Sequence, residues 1–509
     1  MAHASVVPEA ARREISVVNP ATLEPVANVP VTHADELAGI AARARAAQKD
    51  WVSLSFDDRA DALRRYREAL LDQAERFADV LVSETGKPRS DAWAVELVYV
   101  CDAISYWSGN AERFLADQRV TPHLLKNKVA YSTYQAMGLV GFIGPWNFPF
   151  VLTIGEVIPA LAAGNAVIVK PSEVTPRSAL FGAEVWRQAG LPPDLLQVVP
   201  GFGDLGAALI DHVDMVCFTG SVATGRKVAV KAAEQLKPFS LELGGKDPMI
   251  VLRDANLERA ANACVWGGLV NSGQVCISVE RVYVEEPVYD RFVRLVEEKI
   301  RKLRQGPSAD GVDVGSMTFP PQLDKVDRHV KDAVAKGARI LAGGRRNPSY
   351  TGLYFEPTLL VDVTHDMDVM RDETFGPVIP IMKVRDEEEA IRLANDSVYG
   401  LGASVFTRDI EKGRAIARRI EAGGVCINDC LVHFAVTDVP MGGVKESGIG
   451  RRHGPDGLRK FCVQKTVVVD RFGLKSEFLW FPNSAGKLKT LRRAMNLLFR
   501  SSWRRKLFG

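Results

Sequence analysis

Two textures of apolar and polar positions divide this chain. From His33 to Gln118 apolar residues recur at helical spacing among alanines and charges, and Glu36 to Trp51, Asp57 to Glu84 and Ser90 to Leu115 are predicted helices. Thr85-Gly86-Lys87-Pro88 reads as a helix stop followed by a restart. From Gly138 onward short apolar runs alternate with helical ones. The strands are Gly138 to Ile143, Ala166 to Lys170, Leu196 to Val199 and Met215 to Thr219. Between them fall helices running through Leu161, from Ser178 to Ala189 and from Gly206. A second series follows, with strands Met249 to Leu252, Val282 to Val284, Arg339 to Ala342, Val378 to Val384, Ala403 to Phe406 and Gly424 to Asn428. Near-continuous apolar strands separated by helices belong to parallel sheets covered on both faces. The expected class is therefore α/β, with two doubly wound parallel-sheet domains meeting near Leu243 to Lys246. A cleft between two such domains favours a ligand.

Two shorter runs stand apart. Val129 to Gln135 alternates like one arm of a hairpin, and Lys465 to Val469 is a β-branched run that also reads as a strand. The end of the chain changes character again. Phe478-Leu479-Trp480-Phe481 is stopped by Pro482, and Leu488, Leu491, Met495 and Leu498 then recur at helical spacing. Lys487, Lys489, Arg492, Arg493, Arg500, Arg504, Arg505 and Lys506 decorate the remainder. A basic amphipathic helix of this kind can lie on an anionic membrane surface, or it can pack on its own subunit or on a neighbour.

Composition narrows the partners. At 509 residues the chain is long enough for two or three domains with sizeable cores. A net charge of +3 gives no argument for a nucleic-acid partner. The 7 cysteines are odd in number and scattered, which fits reduced thiols in a cytoplasmic compartment. Cys426 and Cys430 have no second Cys or His pair at zinc-site spacing and read as structural, so no metal is expected. Met1 to Ile15 lacks an apolar core of signal-peptide length, and no uncharged apolar run has the length of a membrane span.

The candidate chemistry sits in two Gly-rich turns. Gly273-Gln274-Val275-Cys276 follows an apolar helical run, and Glu242-Leu243-Gly244-Gly245-Lys246 carries one carboxylate. An accessible cysteine beside a carboxylate able to activate water is the makings of a thioester-forming site; a lone cysteine is otherwise a small buried hydrophobe. Gly201-Phe202-Gly203-Asp204-Leu205-Gly206 is a literal G-x-G-x-x-G between a strand and a helix, but no acidic residue is clear at the expected strand end. Phe218-Thr219-Gly220-Ser221 also ends a strand and opens a helix, whose free N–H groups could hold a pyrophosphate. Lys170 and Glu173 close another strand. Glu173 could accept from an adenosine 2′-hydroxyl and would repel a 2′-phosphate, which favours NAD over NADP. Both side chains could equally be a solvated strand end.

Taken in order, these motifs resemble the aldehyde dehydrogenase superfamily over about Val17 to Val469. They stand as Pro145-Trp146-Asn147-Phe148-Pro149, Lys170-Pro171-Ser172-Glu173, Phe218-Thr219-Gly220-Ser221, Glu242-Leu243-Gly244-Gly245-Lys246, Gly273-Gln274-Val275-Cys276 and Glu373-Thr374-Phe375-Gly376-Pro377. Asn395 with Tyr399-Gly400-Leu401, and Pro440-Met441-Gly442-Gly443, continue the series.

The resemblance implies Cys276 as nucleophile, Glu242 as general base and Asn147 as side-chain donor to the oxyanion. It implies NAD, with NADP as the alternative. Lys170 and Glu173 would lie at the adenosine ribose, Gly220 and Ser221 at the pyrophosphate, and Glu373 at the nicotinamide ribose, with Ser172 also binding the cofactor. Phe375, Trp146 and Leu243 would line the same cleft, and the G-x-G-x-x-G at Gly201 would not act in the usual dinucleotide manner. The implied domain plan is a cofactor domain of residues 1–128 and 136–243, a thiol domain of residues 244–445, an oligomerisation element of residues 129–135 and 446–475, and the tail 476–509. Homodimers or homotetramers are expected.

The substrate is read from three stretches. Gly450 to Gly457 and Phe218 to Gly225 are similar to succinate-semialdehyde dehydrogenases. Phe150 to Glu156, however, lacks the arginine that better-known succinate-semialdehyde enzymes carry there. Asn428 to Phe434 resembles the class 3 and fatty-aldehyde branch. Phe150, Ile154 and Val270 are expected to face the substrate, and an apolar funnel with a basic tail suits a medium- or long-chain or aromatic aldehyde. Peripheral membrane contact through the tail would accompany that reading. Succinate semialdehyde is the alternative, and a catalytically silent structural homologue is the non-enzymatic one.

Overall fold

A computed structural model describes residues 13–309 and 311–500. The residues divide into two compact units, one holding the described residues up to Ala116 together with Tyr134–Val463, the other Asp117–Thr133 and the described residues from Gln464 on.

The first unit opens with an antiparallel hairpin, β1 (Glu14–Val18) and β2 (Pro25–Pro30), which the sequence reading missed. Helices Leu37–Ser53, Phe56–Asp72 and Ala74–Thr85 follow. The expected helix Asp57 to Glu84 is two helices, broken at Gln73, whose φ of -111° and ψ of 18° leave the helical region. The stop expected at Thr85-Gly86 is present: Gly86 caps the helix in the left-handed conformation, φ 71°. The stretch predicted as one helix from Ser90 to Leu115 begins as a short turn and a π-helical segment, Ala92–Leu97, before the regular helix Val98–Leu115.

β3 (Gln118–Val120) and β4 (Lys128–Ala136) follow in the chain. Next come β5 (Leu139–Ile143), β6 (Ala166–Lys170), β7 (Leu196–Val198), β8 (Met215–Thr219) and β9 (Phe239–Glu242). After Leu243–Lys246 the chain continues in β10 (Asp247–Val251), β11 (Val279–Glu285), β12 (Arg339–Ala342), β13 (Thr358–Val361), β14 (Val378–Val384), β15 (Gly402–Phe406) and β16 (Gly424–Ile427). The short β17 (Gly448–Ile449) and the longer β18 (Cys462–Asp470) complete the set.

Two sheets form the first unit's core. One has the order β17-β9-β8-β5-β6-β7, the other β12-β13-β14-β11-β10-β15-β16. The strands pair in parallel except at two edges, where β17 runs antiparallel to β9 and β12 antiparallel to β13. Every residue of β6, β10 and β11 is buried, as strands covered on both faces must be. The chain crosses from one sheet to the other through Leu243-Gly244-Gly245-Lys246.

The second unit holds the sheet β18-β4-β3 and the helix Ala485–Arg500. This differs from the expected oligomerisation element. Gly448 and Ile449 are extended and bond to β9, so residues 446–463 belong to the first unit, while β3 joins β4 in the second. No residue of Ala485–Arg500 is buried, and Phe478, Leu479, Trp480 and Phe481 are exposed. Arg504, Arg505 and Lys506 lie outside the described residues. Among the described residues no helix is long and apolar enough to cross a membrane.

Candidate active site

The carboxyl ends of β5 and β8 lead into Pro145-Trp146-Asn147 and Thr219-Gly220-Ser221. Because β5 connects outward to β6 on one side and pairs with β8 on the other, this is the point where strand order reverses, the favoured ligand crevice of such sheets. A cleft there is lined by Trp146, Asn147, Gly220, Ser221, Glu242 and Leu243, and by Cys276, Glu373 and Phe375 on the far side. Nine of the residues singled out in the sequence thus face one space. Lys170, Ser172 and Glu173 do not line it. They sit at the end of β6, where Lys170 Nζ lies 3.3 Å from Glu173 Oε2 and Ser172 Oγ accepts from the Val174 N–H.

Cys276 is delivered by an unusual turn. The helix Leu257–Leu269 ends, and Asn271, Ser272 and Gly273 then take φ of 51°, 56° and 72°. Asn271 and Ser272 are not glycines, so this turn stores backbone strain that its partners must hold. Those partners are the half-buried Asp91 and the buried Gly315. Asn271 N–H donates to Asp91 Oδ2 at 3.1 Å, and Ser272 Oγ donates to the Gly315 carbonyl at 3.0 Å. Gly273 has a steric reason of its own: a Cβ there would lie 2.1 Å from the Gly376 carbonyl oxygen.

Asn147 is bound to the same turn. Its Nδ2 donates to the Gln274 carbonyl at 2.9 Å, and its own carbonyl accepts from Lys87 Nζ at 2.9 Å and from Asn271 Nδ2 at 3.1 Å. Lys87 in turn pairs with Glu96, both side chains fully buried. Glu96 Oε2 accepts from the N–H groups of Phe150 and Val151 at 2.9 and 3.0 Å. One amide hydrogen of Asn147 remains for a ligand, since a carboxamide NH₂ has two.

Glu242 ends β9 with 6% of its surface exposed, and its Oε1 makes no hydrogen bond. Burial, with Glu156 adding to it, pushes its carboxyl up to about 7, against the pull of Arg452, Lys460 and Arg451. Burial likewise raises the Cys276 thiol to about 12; Arg452 opposes this, while Glu242, Asp247 and Glu373 reinforce it. The resting cysteine is therefore a thiol, and a base must take its proton before it attacks. Glycine permits the approach of these groups. A Cβ on Gly245 would lie 2.2 Å from the Cys276 carbonyl oxygen, and one on Gly244 would lie 2.8 Å from Glu373 Oε1.

Glu373 Oε1 accepts from the Gly245 N–H at 3.0 Å, and burial, then Glu280, raises its carboxyl to about 7. The next two residues are clamped by a buried pair. Lys246 Nζ lies 2.5 Å from Glu280 Oε2, and the Glu280 carboxylate accepts from the N–H groups of Thr374 and Phe375 at 2.7 Å each. Phe375 is thereby held edge-on to Trp146, with ring centroids 5.5 Å apart. Ser221 caps the helix Val222–Glu234 and, with Gly220, lines the cleft at the helix start.

Phe150 and Ile154 do not face the cleft. Both are fully buried, with Phe150 against Phe77 at 4.4 Å and Ile154 against Gly182, because the π-helical Val151–Gly155 turns them inward. Phe202 of the G-x-G-x-x-G packs in a small apolar cluster with Ile15, Val17 and Val29, away from the cleft. Gln322 and Lys325, from the helix Pro320–Ala335, line the cleft and were not anticipated, and neither was the buried Arg452. Cys426 and Cys430 are buried thiols, with Cys426 Sγ 3.4 Å from His433 Nδ1, and no metal-binding cluster occurs among the described residues.

Comparison with known proteins decides the family. The model of the aldehyde dehydrogenase family matches residues 6–467. The chain belongs to the aldehyde dehydrogenase family.

It is an oxidoreductase acting on aldehydes, in a family that uses NAD(P). It is 42% identical over 458 residues, 88% of this chain and 87% of the relative, to a Mycobacterium ulcerans protein provisionally named succinate-semialdehyde dehydrogenase (NADP+) 2. It is 38% identical over 488 residues, 95% of this chain and 91% of the relative, to a 4,4'-diapolycopene aldehyde oxidase of Methylomonas. Among solved structures it resembles a Mycobacterium tuberculosis aldehyde dehydrogenase complexed with NAD+, with TM-score 0.87, 35% identity, and coverage of 92% of this chain and 97% of that one. The residues of this aldehyde dehydrogenase suit a dinucleotide: the cleft lies at the sheet's switch point, a helix of 13 residues opens at Ser221, and Gly244 lets Glu373 close in where a Cβ would collide.

Proposed function

We propose that this chain oxidises an aldehyde to the carboxylic acid through a thioester on Cys276, with Glu242 as general base and Asn147 as oxyanion donor. The observation that carries the reading is one cleft lined by Cys276, Asn147 and Glu242 together with Trp146, Gly220, Ser221, Leu243, Glu373 and Phe375. In it, Cys276 gives its thiol proton to water in the cleft, its Sγ bonds to the aldehyde carbon, and the free hydrogen of Asn147 Nδ2 and the Cys276 N–H meet the developing oxyanion. NAD(P)+, when bound, supplies the hydride acceptor. Trp146, Gly220, Ser221, Leu243, Glu373 and Phe375 would hold it in the cleft, with Lys170, Ser172 and Glu173 toward its adenosine end. Glu242 then takes a proton from water, the water oxygen bonds to the acyl carbon, and the C–S bond breaks.

The substrate we favour is a medium- or long-chain or aromatic aldehyde. Two grooves flank Trp266, which is 48% exposed on the helix that leads to Cys276; Val95, Leu269 and Val270 line one of them. The relative from Methylomonas is named for a carotenoid aldehyde, which points the same way. The mycobacterial relatives' names support the second reading, succinate semialdehyde with NADP. Comparing kcat/KM for decanal, benzaldehyde and succinate semialdehyde, each with NAD+ and NADP+, separates the two. A clear preference for succinate semialdehyde overturns the first.

Two further features belong to this reading. The edge strand β18 is exposed along nearly its whole length, which suits pairing with a second copy, and light scattering would read a dimer or tetramer. The helix Ala485–Arg500 carries Lys487, Lys489, Arg492, Arg493 and Arg500 without an acidic residue, which suits peripheral contact with an anionic membrane from the cytoplasm; flotation with phosphatidylglycerol vesicles would test it.

A further inference from the structure

Behind Glu242 lies a second, smaller cavity lined by Leu152, Glu156, Cys217, Thr219, Glu242 and Arg452, among others. Arg452 is 4% exposed, a charge buried within the fold. Its Nη1 lies 2.9 Å from Glu156 Oε1, and its Nη2 donates to Thr219 Oγ1 at 3.3 Å. Its Nε has no hydrogen-bond partner, and neither does Glu242 Oε1. These two unpaired buried atoms lie 3.7 Å apart, beyond a hydrogen bond but within reach of a small side-chain shift. A buried donor and acceptor left facing each other are costly unless one state of the site uses them.

We propose that Arg452 is the positioning residue for the hydrolysis half of the reaction: its Nε–H engages Glu242 Oε1 when that carboxylate is ionised, and Glu156 competes for the same guanidinium. This rests on Glu242 being the general base. The groups facing Glu242 are Arg452, Lys460, Arg451 and Glu156, with Cys217 and Cys276 also near. Arg452 is a fixed cation, since Glu156 and Glu242 hold its pKa above the ordinary value despite burial. In the step itself a water oxygen bonds to the acyl carbon and its proton passes to Glu242. The C–S bond breaks with its electron pair on Cys276 Sγ. Once protonated, Glu242 no longer draws the guanidinium, which returns fully to Glu156, and Glu242 releases its proton to solvent through the cleft. Glu156 thus sets how much of the cation Glu242 receives, and with it the pH at which hydrolysis begins.

The test uses three variants of the full chain: Glu156→Gln, Arg452→Met with Glu156→Gln, and Glu242→Gln. The double variant removes the Arg452–Glu156 pair together, so neither of those two charges is left without the other. The readouts are the first-turnover burst of NAD(P)H and the pH dependence of steady-state kcat. The account expects the burst to persist in all three. In Glu156→Gln the acid limb of kcat moves down by about one pH unit, and in the double variant it moves up by about one, the scale of a nearby charge. If Glu242→Gln stalls after the burst but neither other variant moves the limb, the role of Arg452 is overturned and that of Glu242 stands. If Glu242→Gln turns over at the parent rate, the base assignment fails and this proposal fails with it.

Discussion

Asn147 Nδ2 donates to the backbone carbonyl of Gln274 at 2.9 Å, so the proposed oxyanion donor is fastened to the turn that carries Cys276 two residues later. In the proposed mechanism one side chain therefore does two jobs, holding the turn and offering its second hydrogen to substrate. Asn147→Ala removes both. Loss of one oxyanion donor costs about 10²–10³ in kcat, and stopped-flow measurement of hydride transfer should show a fall of at least that size. A fall under tenfold would remove Asn147 from the oxyanion site.

The turn around Asn147 depends in turn on Lys87 and Glu96. Both side chains are fully buried, and Glu96 also receives the Phe150 and Val151 N–H groups. Removing one partner of such a pair strands a buried charge and costs about 3–5 kcal/mol. Lys87→Met is expected to lower Tm markedly in calorimetry and to slow acylation with it, because the Asn147 carbonyl loses one of its two donors. An unchanged Tm would show that the pair contributes little.

At Gly273 two separate constraints coincide. Its φ is 72°, and a Cβ would lie 2.1 Å from the Gly376 carbonyl oxygen. Gly273→Ala should displace the turn, with strain of about 1–3 kcal/mol added to the collision. Thiol labelling by iodoacetamide reads the position of Cys276 directly, and its rate is expected to change at least severalfold while the variant stays folded by circular dichroism. A parental labelling rate would mean that the turn tolerates the methyl.

Glu242 gives a pH dependence with a definite sign. Its carboxyl is raised from the ordinary 4.5 to about 7, chiefly by burial. A general base works only when ionised, so hydrolysis of the thioester should climb as pH rises through about 7. An unperturbed glutamate would have saturated well below pH 6. Steady-state kcat between pH 5.5 and 8.5, where hydrolysis limits, checks this; a flat profile would contradict it.

What could be read in the sequence follows from how local the cause is. Ala166 to Lys170 and Met215 to Thr219 match β6 and β8 residue for residue, because a strand buried on both faces is written as an unbroken apolar run. β1 and β2 were missed, since β1 is only 5 residues long and the prolines at either end of the irregularly exposed β2 blur the pattern. The break at Gln73 has no glycine or proline to announce it. Trp146, Gly220 and Glu242 were legible because their motifs close the strands β5, β8 and β9, while those of Cys276 and Glu373 lie in the loops before β11 and β14. Arg452 was not, because its burial is set by Glu156, nearly three hundred positions earlier in the chain. Phe150 and Ile154 went wrong for a geometric reason: the π-helical turn at Val151–Gly155 shifts the face that an α-helix would present.

The most direct measurement is the mass of the enzyme caught in turnover. Full-length Glu242→Gln, mixed with NAD+ and decanal and quenched in acid within the first turnovers, should carry the decanoyl group on the peptide containing Cys276, in amount matching the NADH burst. Adduct on another residue, or NADH formed with no adduct on Cys276, would contradict the account.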